Sequence, residues 1–466
     1  MVDYIIQFLL NNRANASAIG YCSDESQWSK YKVVIVDSGF FNSSDYGKEV
    51  SIPQLPLQQL CREDKNLPIL FGSPKIEKKG DTIICYADIV ASTFYFISRY
   101  EEFVLPNTNR DEHGRYIGTK SLLYRAGLIE RAIVDEYGDL LCSLLKEAAI
   151  EGGEKIEGGE KNEDEENRMD SQENINDAES RKKVDTGKFS NIYLTHDVDF
   201  ITNHRHLRGF LGGIKNAILH KTDSISSIIK SNFNIFCDKA FTFDWIAQQD
   251  NKIADAHKIF FIKSAVKADK LDYYNYNLNG RDFVFLRNYI YKNIPNATLG
   301  LHASYYSGAH PTIIADERKK LESALIESTL SNNKIKYNRH HYLRALQPDD
   351  MMALIDAGIT DDFTMGFADI AGFRLGTCRP VKFINPRAQQ LTPLTMHPLT
   401  IMDCTLSNSN YMNLNYDEAL EYSKRLIDTV RQHNGEVVLL WHNTIFSDTT
   451  NYHKQLYSNL IYKLNG

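Results

Sequence analysis

The segment Ile192–Asp199, with the sequence IYLTHDVD, is an apolar run that ends in two aspartates, Asp197 and Asp199. In an extended strand alternate side chains point to the same side, so both carboxylates would project together from its C-terminal end. Parallel α/β folds bind their ligands at that end of the sheet. Because two carboxylates this close repel each other, the pair predicts a nearby cation, proton or arginine.

The length and composition predict two domains separated by a linker. A chain of 466 residues with 42% hydrophobic content exceeds what one core usually holds. Residues 151–180 carry twelve Asp and Glu against three Lys and Arg, with almost no large apolar residues. Such a segment cannot bury enough surface to offset chain entropy, so we predict a disordered acidic linker over 151–187. It separates residues 1–150 from residues 188–466.

Charge and cysteine usage exclude several classes of partner. Outside the acidic segment the chain is close to neutral, which argues against a nucleic-acid-binding surface. The seven cysteines form no C-x-x-C pair, so neither a disulfide framework nor a cysteine zinc site is indicated. The N-terminus lacks signal-peptide features, and no stretch approaches the roughly 20 apolar residues of a transmembrane segment. We therefore expect a cytoplasmic protein.

Residues 1–150 predict a smaller mixed α/β domain of unknown role. The runs over 32–36 and 82–86 are typical of strands, and the pattern from Asp88 to about Glu102 predicts a helix. The charged residues near that helix predict a solvated or salt-bridged surface: Glu101, Glu102, Arg110, Asp111, Glu112, His113 and Arg115.

Strand-like and helix-like segments alternate through residues 188–466. The predicted strands are Ile192–Thr195, Ile259–Ile262, Thr298–Leu301, Ile335–Tyr337, Asp362–Met365, Leu394–Met396 and Glu436–Trp441. The amphipathic stretches between them are Phe243–His257, Asp316–Thr329, Asp349–Ala357 and Tyr416–His433. This alternation predicts an α/β fold with a parallel sheet, and seven strands favour a barrel.

Four of the strand ends carry polar side chains that could act together. They are Thr195–Asp199, Gly300–Tyr306, Arg339–Arg344 and Val437–Asn443. In this order the four motifs resemble those of the polysaccharide deacetylase family, also called carbohydrate esterase family four, over about residues 188–450. The T-H-D-V-D motif is most similar to a bacterial subgroup with an uncharacterised N-terminal domain. The resemblance implies a distorted (β/α)7-type barrel.

The resemblance also implies roles for the motif residues. Asp199 and His302 would bind a divalent metal, with zinc as the expected ion. Asp197 would be the general base for the attacking water, and Arg339 would hold Asp197 ionised. The backbone N–H of Tyr342 would face the oxyanion of the tetrahedral intermediate.

His442 would protonate the departing amine, because an amide nitrogen is a poor leaving group. A nearby carboxylate should orient and charge this histidine. Asp369 and Asp403 are both candidates for that carboxylate, and the sequence does not choose between them.

The metal motif departs from the family pattern. The family has H-x-x-x-H, but Tyr306 stands four residues after His302. A site with only two protein ligands would be weak, so either another residue provides a third ligand or metal binding is lost. His310 is the first candidate and His341 the second. His196 comes third, because strand alternation turns it away from both aspartates.

The predicted function is metal-dependent hydrolysis of an N-acetyl group, or an O-acetyl group, on an amino-sugar-containing saccharide. The expected partners are a saccharide substrate and, peripherally, lipid-linked glycan intermediates. One alternative is a haloacid-dehalogenase-like sugar phosphatase, in which Asp197 is the nucleophile, Asp199 the acid and Asp361–Asp362 the later acidic pair. The other is a non-catalytic barrel that has lost a metal ligand and only binds glycans.

Overall fold

The computed structural model describes residues 1–62, 65–151, 187–220, 224–267, 269–273, 276–325, 334–346, 348–448 and 450–465. The linker predicted over 151–187 lies outside these ranges except at its two ends. None of the helices in these ranges combines the length and the apolar content that crossing a bilayer requires.

Residues 1–151 form a mixed α/β unit around a four-stranded sheet ordered β1-β2-β6-β5, with a separate β3-β4 hairpin. Its strands are β1 Ile19–Tyr21, β2 Val33–Ile35, β3 Gln58–Arg62, β4 Lys65–Ile69, β5 Gly72–Lys79 and β6 Thr82–Ala87. Its helices are α1 Val2–Leu10, α2 Ile89–Ile97, α3 Tyr100–Val104, α4 Leu122–Arg125 and α5 Ile133–Glu151.

The helix predicted from Asp88 to Glu102 is two helices. The Asp88 carboxylate accepts a hydrogen bond from the Ala91 backbone N–H and so caps the start of α2. Arg99 has a φ of 54°, which a right-handed helix cannot accommodate. Helix α2 therefore ends before Arg99, at Ile97, and α3 begins directly after it, at Tyr100.

The C-terminal part is built on one large, mostly parallel sheet. Its strands are β7 Asn191–Val198, β8 His257–Lys263, β9 Ala297–Ala303, β10 Tyr337–His340, β11 Asp361–Met365, β12 Val381–Asn385, β13 Gln390–Pro398, β14 Ile401–Met402 and β15 Glu436–Leu440. Its helices are α6 Leu207–His220, α7 Ile225–Phe233, α8 Phe243–Asp250, α9 Arg281–Asn293, α10 Ile314–Leu325, α11 Asp349–Asp356, α12 Asp403–Ser407, α13 Tyr416–Gln432 and α14 His453–Leu464.

The strand order is β12-β13-β11-β10-β9-β8-β7-β15-β14, and only β12 runs antiparallel to its neighbour. The prediction of an α/β fold with a parallel sheet is therefore confirmed. The closed barrel is not confirmed, because the hydrogen-bonded ladder remains open. After Pro398 the chain passes from the β11 end of the sheet to the β15 end. The Leu399 N–H donates to the Met365 carbonyl of β11, and the Thr400 N–H donates to the Val438 carbonyl of β15.

The seven predicted strands all overlap observed ones, with one shift that affects the site. The strand predicted over 335–337 is β10, which begins at Tyr337 and extends to His340. Arg339 thus belongs to the strand itself and not to the loop after it. The short strands β12 and β14 had not been predicted.

The segment 366–379, between β11 and β12, joins the two parts of the protein. Glu102 accepts two hydrogen bonds from Arg374, Asp135 pairs with Arg379, and Asp369 accepts from the backbone of Gly118 and Thr119. One hydrophobic core runs through both parts.

These contacts correct the prediction of a charged surface around residues 101–115. Glu101, Glu102 and Arg115 are all buried. Glu101 pairs with Arg125 and accepts from the Leu122 backbone N–H within the N-terminal part. Glu102 and Arg115 find partners in the C-terminal part, which local sequence could not indicate.

Candidate active site

Strand alternation in β7 separates the side chains of its polar end into two groups. Thr195 and Asp197 both accept hydrogen bonds from Arg339 Nη1, at 2.7 and 3.1 Å. His196 points the opposite way, where its ring contacts Asp250 and the Trp441 carbonyl. It therefore lies outside the candidate site, as alternation predicts.

Asp197 lies among three basic side chains. Besides Arg339, its Oδ2 lies 3.5 Å from His302 Nε2 and 4.0 Å from His442 Nε2. Burial alone would raise the pKa of Asp197, but His302, Arg339 and His442 outweigh it and lower the pKa. Asp197 is thus held as a carboxylate that can accept a proton.

Asp199, His302 and His341 form a group that could hold a metal ion, since their ligand atoms lie within 4.8 Å of one another. His302 Nδ1 lies 3.0 Å from the Arg339 carbonyl, and His341 Nδ1 lies 3.0 Å from Asp272 Oδ1. When Nδ1–H donates in this way, the lone pair of Nε2 faces the site.

The His302 ring has the properties of a metal ligand. Its Nε2 is buried and has no hydrogen-bond partner among the described residues. Burial outweighs the nearby Asp197 and lowers the pKa of His302 to about 4, so the imidazole is neutral at neutral pH. A carboxylate and two imidazoles are a donor set that suits zinc and related divalent ions.

His310, the first candidate for the third metal ligand, lies outside this group. Its exposed ring stacks on Tyr306 at a centroid distance of 4.2 Å, and the Tyr306 hydroxyl accepts a hydrogen bond from Lys267. His341, the second candidate, lies in the group. The turn after β10 brings it there, whereas the turn after β9 carries His310 to the surface.

Lys263, at the end of β8, places an ammonium group beside Asp199, next to the possible metal ligands. Its ammonium Nζ lies 2.6 Å from Asp199 Oδ1, and the side chain is almost fully buried. Although burial acts to raise it, the pKa of Asp199 is lowered, with Lys263 as the largest opposing cause. A metal ion would have to share this carboxylate with the ammonium group.

His442 is paired with Asp403 and not with Asp369. Asp403 accepts hydrogen bonds from His442 Nδ1 at 2.8 Å and from the His442 backbone N–H at 2.7 Å. Burial acts to lower the pKa of His442, but Asp403 outweighs it and raises the pKa well above its usual value. Asp369 instead belongs to the contact with residues 118 and 119. His442 is therefore held protonated and can donate a proton.

Asp403, Cys404 and His442 are a second group with metal-ligand atoms close together. The Asp403 carboxylate is already occupied by hydrogen bonds from His442 and from the Cys404 backbone N–H. We therefore interpret this group as the support of a protonated imidazole.

Tyr342 lies in a strained turn beside the two aspartates. Tyr342 and Leu343 have φ values of 62° and 54°, a region that costs a residue with a side chain about 1–2 kcal/mol. Arg115 of the N-terminal part crosses over this turn. It donates to the Tyr342 carbonyl at 3.2 Å and to the Tyr411 hydroxyl at 2.8 Å, while Asp111 holds its Nε at 2.7 Å.

These elements enclose a pocket of about 470 Å³. Its walls include Arg115, Asp197, Asp199, His341, Tyr342 and His442. The pocket thus brings together most of the side chains predicted from the strand ends, with one residue supplied by the N-terminal part.

Sequence reasoning missed Lys263, Asp272 and Arg115. Lys263 carried a usable signal, because a lysine directly after the apolar run 259–262 is again a charged residue at a strand end. Asp272 and Arg115 lie in irregular segments, and nothing in their local sequence indicates the histidine or the turn that each contacts.

Comparisons with known proteins give limited assignments. Residues 1–150 match a family of unknown function, DUF7033. No curated protein matches the chain. A solved structure from Mycobacterium smegmatis, described as a candidate polysaccharide deacetylase, aligns at 14% identity with a TM-score of 0.38, covering 61% of this chain and 86% of that one. A match of that quality assigns neither fold nor function to this chain.

Proposed function

We propose that the protein is a metal-dependent hydrolase that removes an N-acetyl group, or an O-acetyl group, from an amino-sugar-containing saccharide. The C-terminal part would act as a distorted (β/α) barrel whose site lies at the strand ends. One observation carries the proposal: the Asp197 carboxylate lies between the group of Asp199, His302 and His341 and the ring of His442, whose pKa Asp403 raises. Hydrolysis of an amide needs both a base for water and an acid for the amine.

Asp199, His302 and His341 would hold the metal. A bound divalent ion supplies Lewis acidity, which activates water and polarises the acyl carbonyl. The orphaned Nε2 of His302 supports this fit. Asp272 and the Arg339 carbonyl would fix the two imidazole rings in the required orientation.

The chain's own residues would perform the proton transfers. Asp197 takes the proton of the attacking water, and Arg339 keeps Asp197 ionised before that step. The Tyr342 backbone N–H stabilises the negative oxygen of the tetrahedral intermediate. His442 gives its proton to the departing nitrogen and remains oriented by Asp403.

Metal analysis of purified variants tests this proposal first. We expect divalent metal to bind the wild-type protein and Asp199→Ala or His302→Ala to lower its occupancy, because each substitution removes one ligand atom. His310→Ala is the matched control and should leave occupancy unchanged. Acetate release from N-acetylated sugars is then measured on the loaded protein. Absence of metal binding, or equal losses in the control, would contradict the assigned ligands.

The glycan-binding alternative has one observation in its favour. The Lys263 ammonium already offsets the charge of Asp199, so the carboxylate has a cation without any metal. In that case the protein would bind N-acetylated saccharides, hold no metal and release no acetate. Release of phosphate from a sugar phosphate with Mg²⁺ would instead support the phosphatase.

The pH dependence of the reaction should depend on Asp403. His442 must be protonated to act, so kcat/KM falls as pH rises through its pKa. Because Asp403 raises that pKa, Asp403→Asn should move the alkaline limb to lower pH by at least about one unit. Asp369→Asn removes a carboxylate outside the site and should leave the profile in place. Unchanged alkaline limbs in both variants would exclude His442 as the acid.

Arg115 should act as a positioning residue supplied by the N-terminal part. Arg115→Ala frees the Tyr342 turn, so we expect kcat to fall about 10- to 100-fold with little change in KM or metal occupancy. Arg425→Ala, which breaks an exposed ion pair between Glu130 and α13, is the control. A loss of thermal stability without the kcat effect would indicate that Arg115 only joins the two parts.

A further inference from the structure

The helical hairpin α6–α7 exposes an unusual amount of apolar surface. Of the seventeen large apolar side chains that are exposed in the described residues, seven lie between residues 207 and 233: Leu207, Leu211, Ile218, Leu219, Ile225, Ile229 and Phe233. Leu207 is 77% exposed and Phe233 is 87% exposed. Clusters of this kind on a protein surface usually mark an interaction site.

Six of these seven residues form one stripe on each helix, and Leu219 lies beside the stripe of α6. Leu207, Leu211 and Ile218 are spaced by four and seven residues in α6, which places them on one face of a helix. Ile225, Ile229 and Phe233 are spaced by four in α7. The opposite faces pack together where Gly213 meets Ile228. The stripes are therefore the faces that packing within the protein leaves uncovered.

The charged residues that the structure describes in α6 and α7 are all basic, and one acidic residue, Asp223, stands between the two helices in the sequence. Among the described residues from 204 to 237 there is no Asp or Glu, although the whole chain has a net charge of -7. Arg208 and Lys215 flank the stripe of α6, Lys230 lies on α7, and all three are exposed. An apolar face bordered by Lys and Arg complements a bilayer with anionic headgroups.

The base of the hairpin lies a few residues after the candidate site in the chain. It directly follows β7, whose end carries Asp197 and Asp199. Asp238 accepts hydrogen bonds from the backbone of Asn203 and His204, and Arg205 pairs with Asp282. These contacts fix the base of the hairpin, and its apolar stripes remain exposed to solvent.

The loop after β8 lies close to this base. Its Tyr273 is 51% exposed and contacts Phe200 at a centroid distance of 5.9 Å. Val266 and Leu271 of the same loop are also exposed. Exposed apolar side chains thus occur on this loop as well as on the hairpin.

We propose that α6–α7 is a membrane-docking element that lays its apolar stripes into the headgroup region of an anionic phospholipid bilayer. Its basic residues contact lipid phosphates, and the site opens beside the bilayer surface. A symmetric contact with a second copy fits less well, because it would place the basic borders of two identical hairpins against each other. The proposal does not depend on the reaction that the site catalyses.

Vesicle sedimentation of the full-length protein tests the proposal. We expect binding to vesicles of phosphatidylcholine with phosphatidylglycerol, weaker binding to phosphatidylcholine alone, and a decrease at high salt. The triple variant Leu207→Ser, Leu211→Ser, Phe233→Ser should lower binding at least about tenfold. The matched control Val50→Ser, Leu391→Ser, Tyr462→Ser removes exposed apolar side chains elsewhere and should bind as the wild type does.

A fluorescence measurement on a single-residue variant covers the case in which the triple variant folds poorly. Phe233→Trp should be quenched by vesicles that contain brominated phospholipid, whereas Tyr462→Trp, at a position that is 80% exposed, should not. Equal quenching at both positions, or no vesicle binding by the wild type, would overturn the proposal. A wild-type dimer that the triple variant converts to a monomer would also overturn it, in favour of a contact between copies.

Discussion

Asp197→Asn should lower the rate of acetate release by about 10²- to 10⁴-fold, the range found for removal of a positioned general base. The amide that replaces the carboxylate has nearly the same shape but cannot take a proton from water. The buried Arg339 keeps two other acceptors, the Thr195 hydroxyl and the Phe363 carbonyl, so the strand ends should stay in place. Steady-state kinetics on an N-acetylated saccharide measures the effect.

Two controls separate loss of the base from loss of the site. Metal occupancy of Asp197→Asn should remain near the wild-type value, because Asp197 is outside the group of Asp199, His302 and His341. Asp250→Asn changes the carboxylate on the other side of β7, which holds His196, and should retain most of the activity. A variant of Asp197 that retains most of its rate would exclude this carboxylate as the base.

The site residues that the sequence predicts are those carried by the ends of strands. Asp197, His302, Arg339 and His442 each lie on or next to the end of a parallel strand, where alternation and register fix the direction of a side chain. Neighbouring strands pair Arg339 directly with His302, so their positions follow from the sheet. Sequence therefore indicates these residues even though they are far apart in the chain.

The other site residues depend on turns and on contacts between distant segments. His341 and His310 were both candidates for the third ligand, and only the three-dimensional course of the two turns separates them. Asp403 and Asp369 were equally plausible partners for His442 for the same reason. Arg115 reaches the pocket from the N-terminal part, and no periodicity in either part encodes that contact.

The pairing of Glu102 with Arg374 should be a costly interaction between the two parts to break. Glu102 accepts from both Arg374 Nε and Nη2, at 2.9 and 2.7 Å, and lies 3.4 Å from Arg99 Nη1. All three side chains are buried. Glu102→Ala leaves two guanidinium groups without this carboxylate, and loss of one partner from a buried pair costs about 3–5 kcal/mol. Urea unfolding and thermal melting measure the loss.

The pH dependence of stability gives this prediction a second, independent readout. Burial acts to raise the pKa of Glu102, but Arg374 and Arg99 outweigh it and lower the pKa to about 2. A carboxyl group with a lowered folded pKa stabilises the protein above its unfolded pKa of about 4.3, and that contribution is lost as pH falls toward 2. Wild-type stability should therefore fall across this window, and Glu102→Ala should lack that part of the decrease.

Two further variants test whether burial is the reason that the Glu102–Arg374 pair is costly to break. Glu130→Ala breaks the exposed pair with Arg425, which also joins the two parts of the chain, and should cost less than about 1 kcal/mol. The double variant Glu102→Leu, Arg374→Leu removes both partners of the main pair and should recover part of the loss, because only Arg99 has then lost this carboxylate. Equal losses in Glu102→Ala and Glu130→Ala would mean that solvent screens the Glu102 pair as well. In that case the hydrophobic core that runs through both parts, and not this ion pair, would hold Arg115 over the Tyr342 turn.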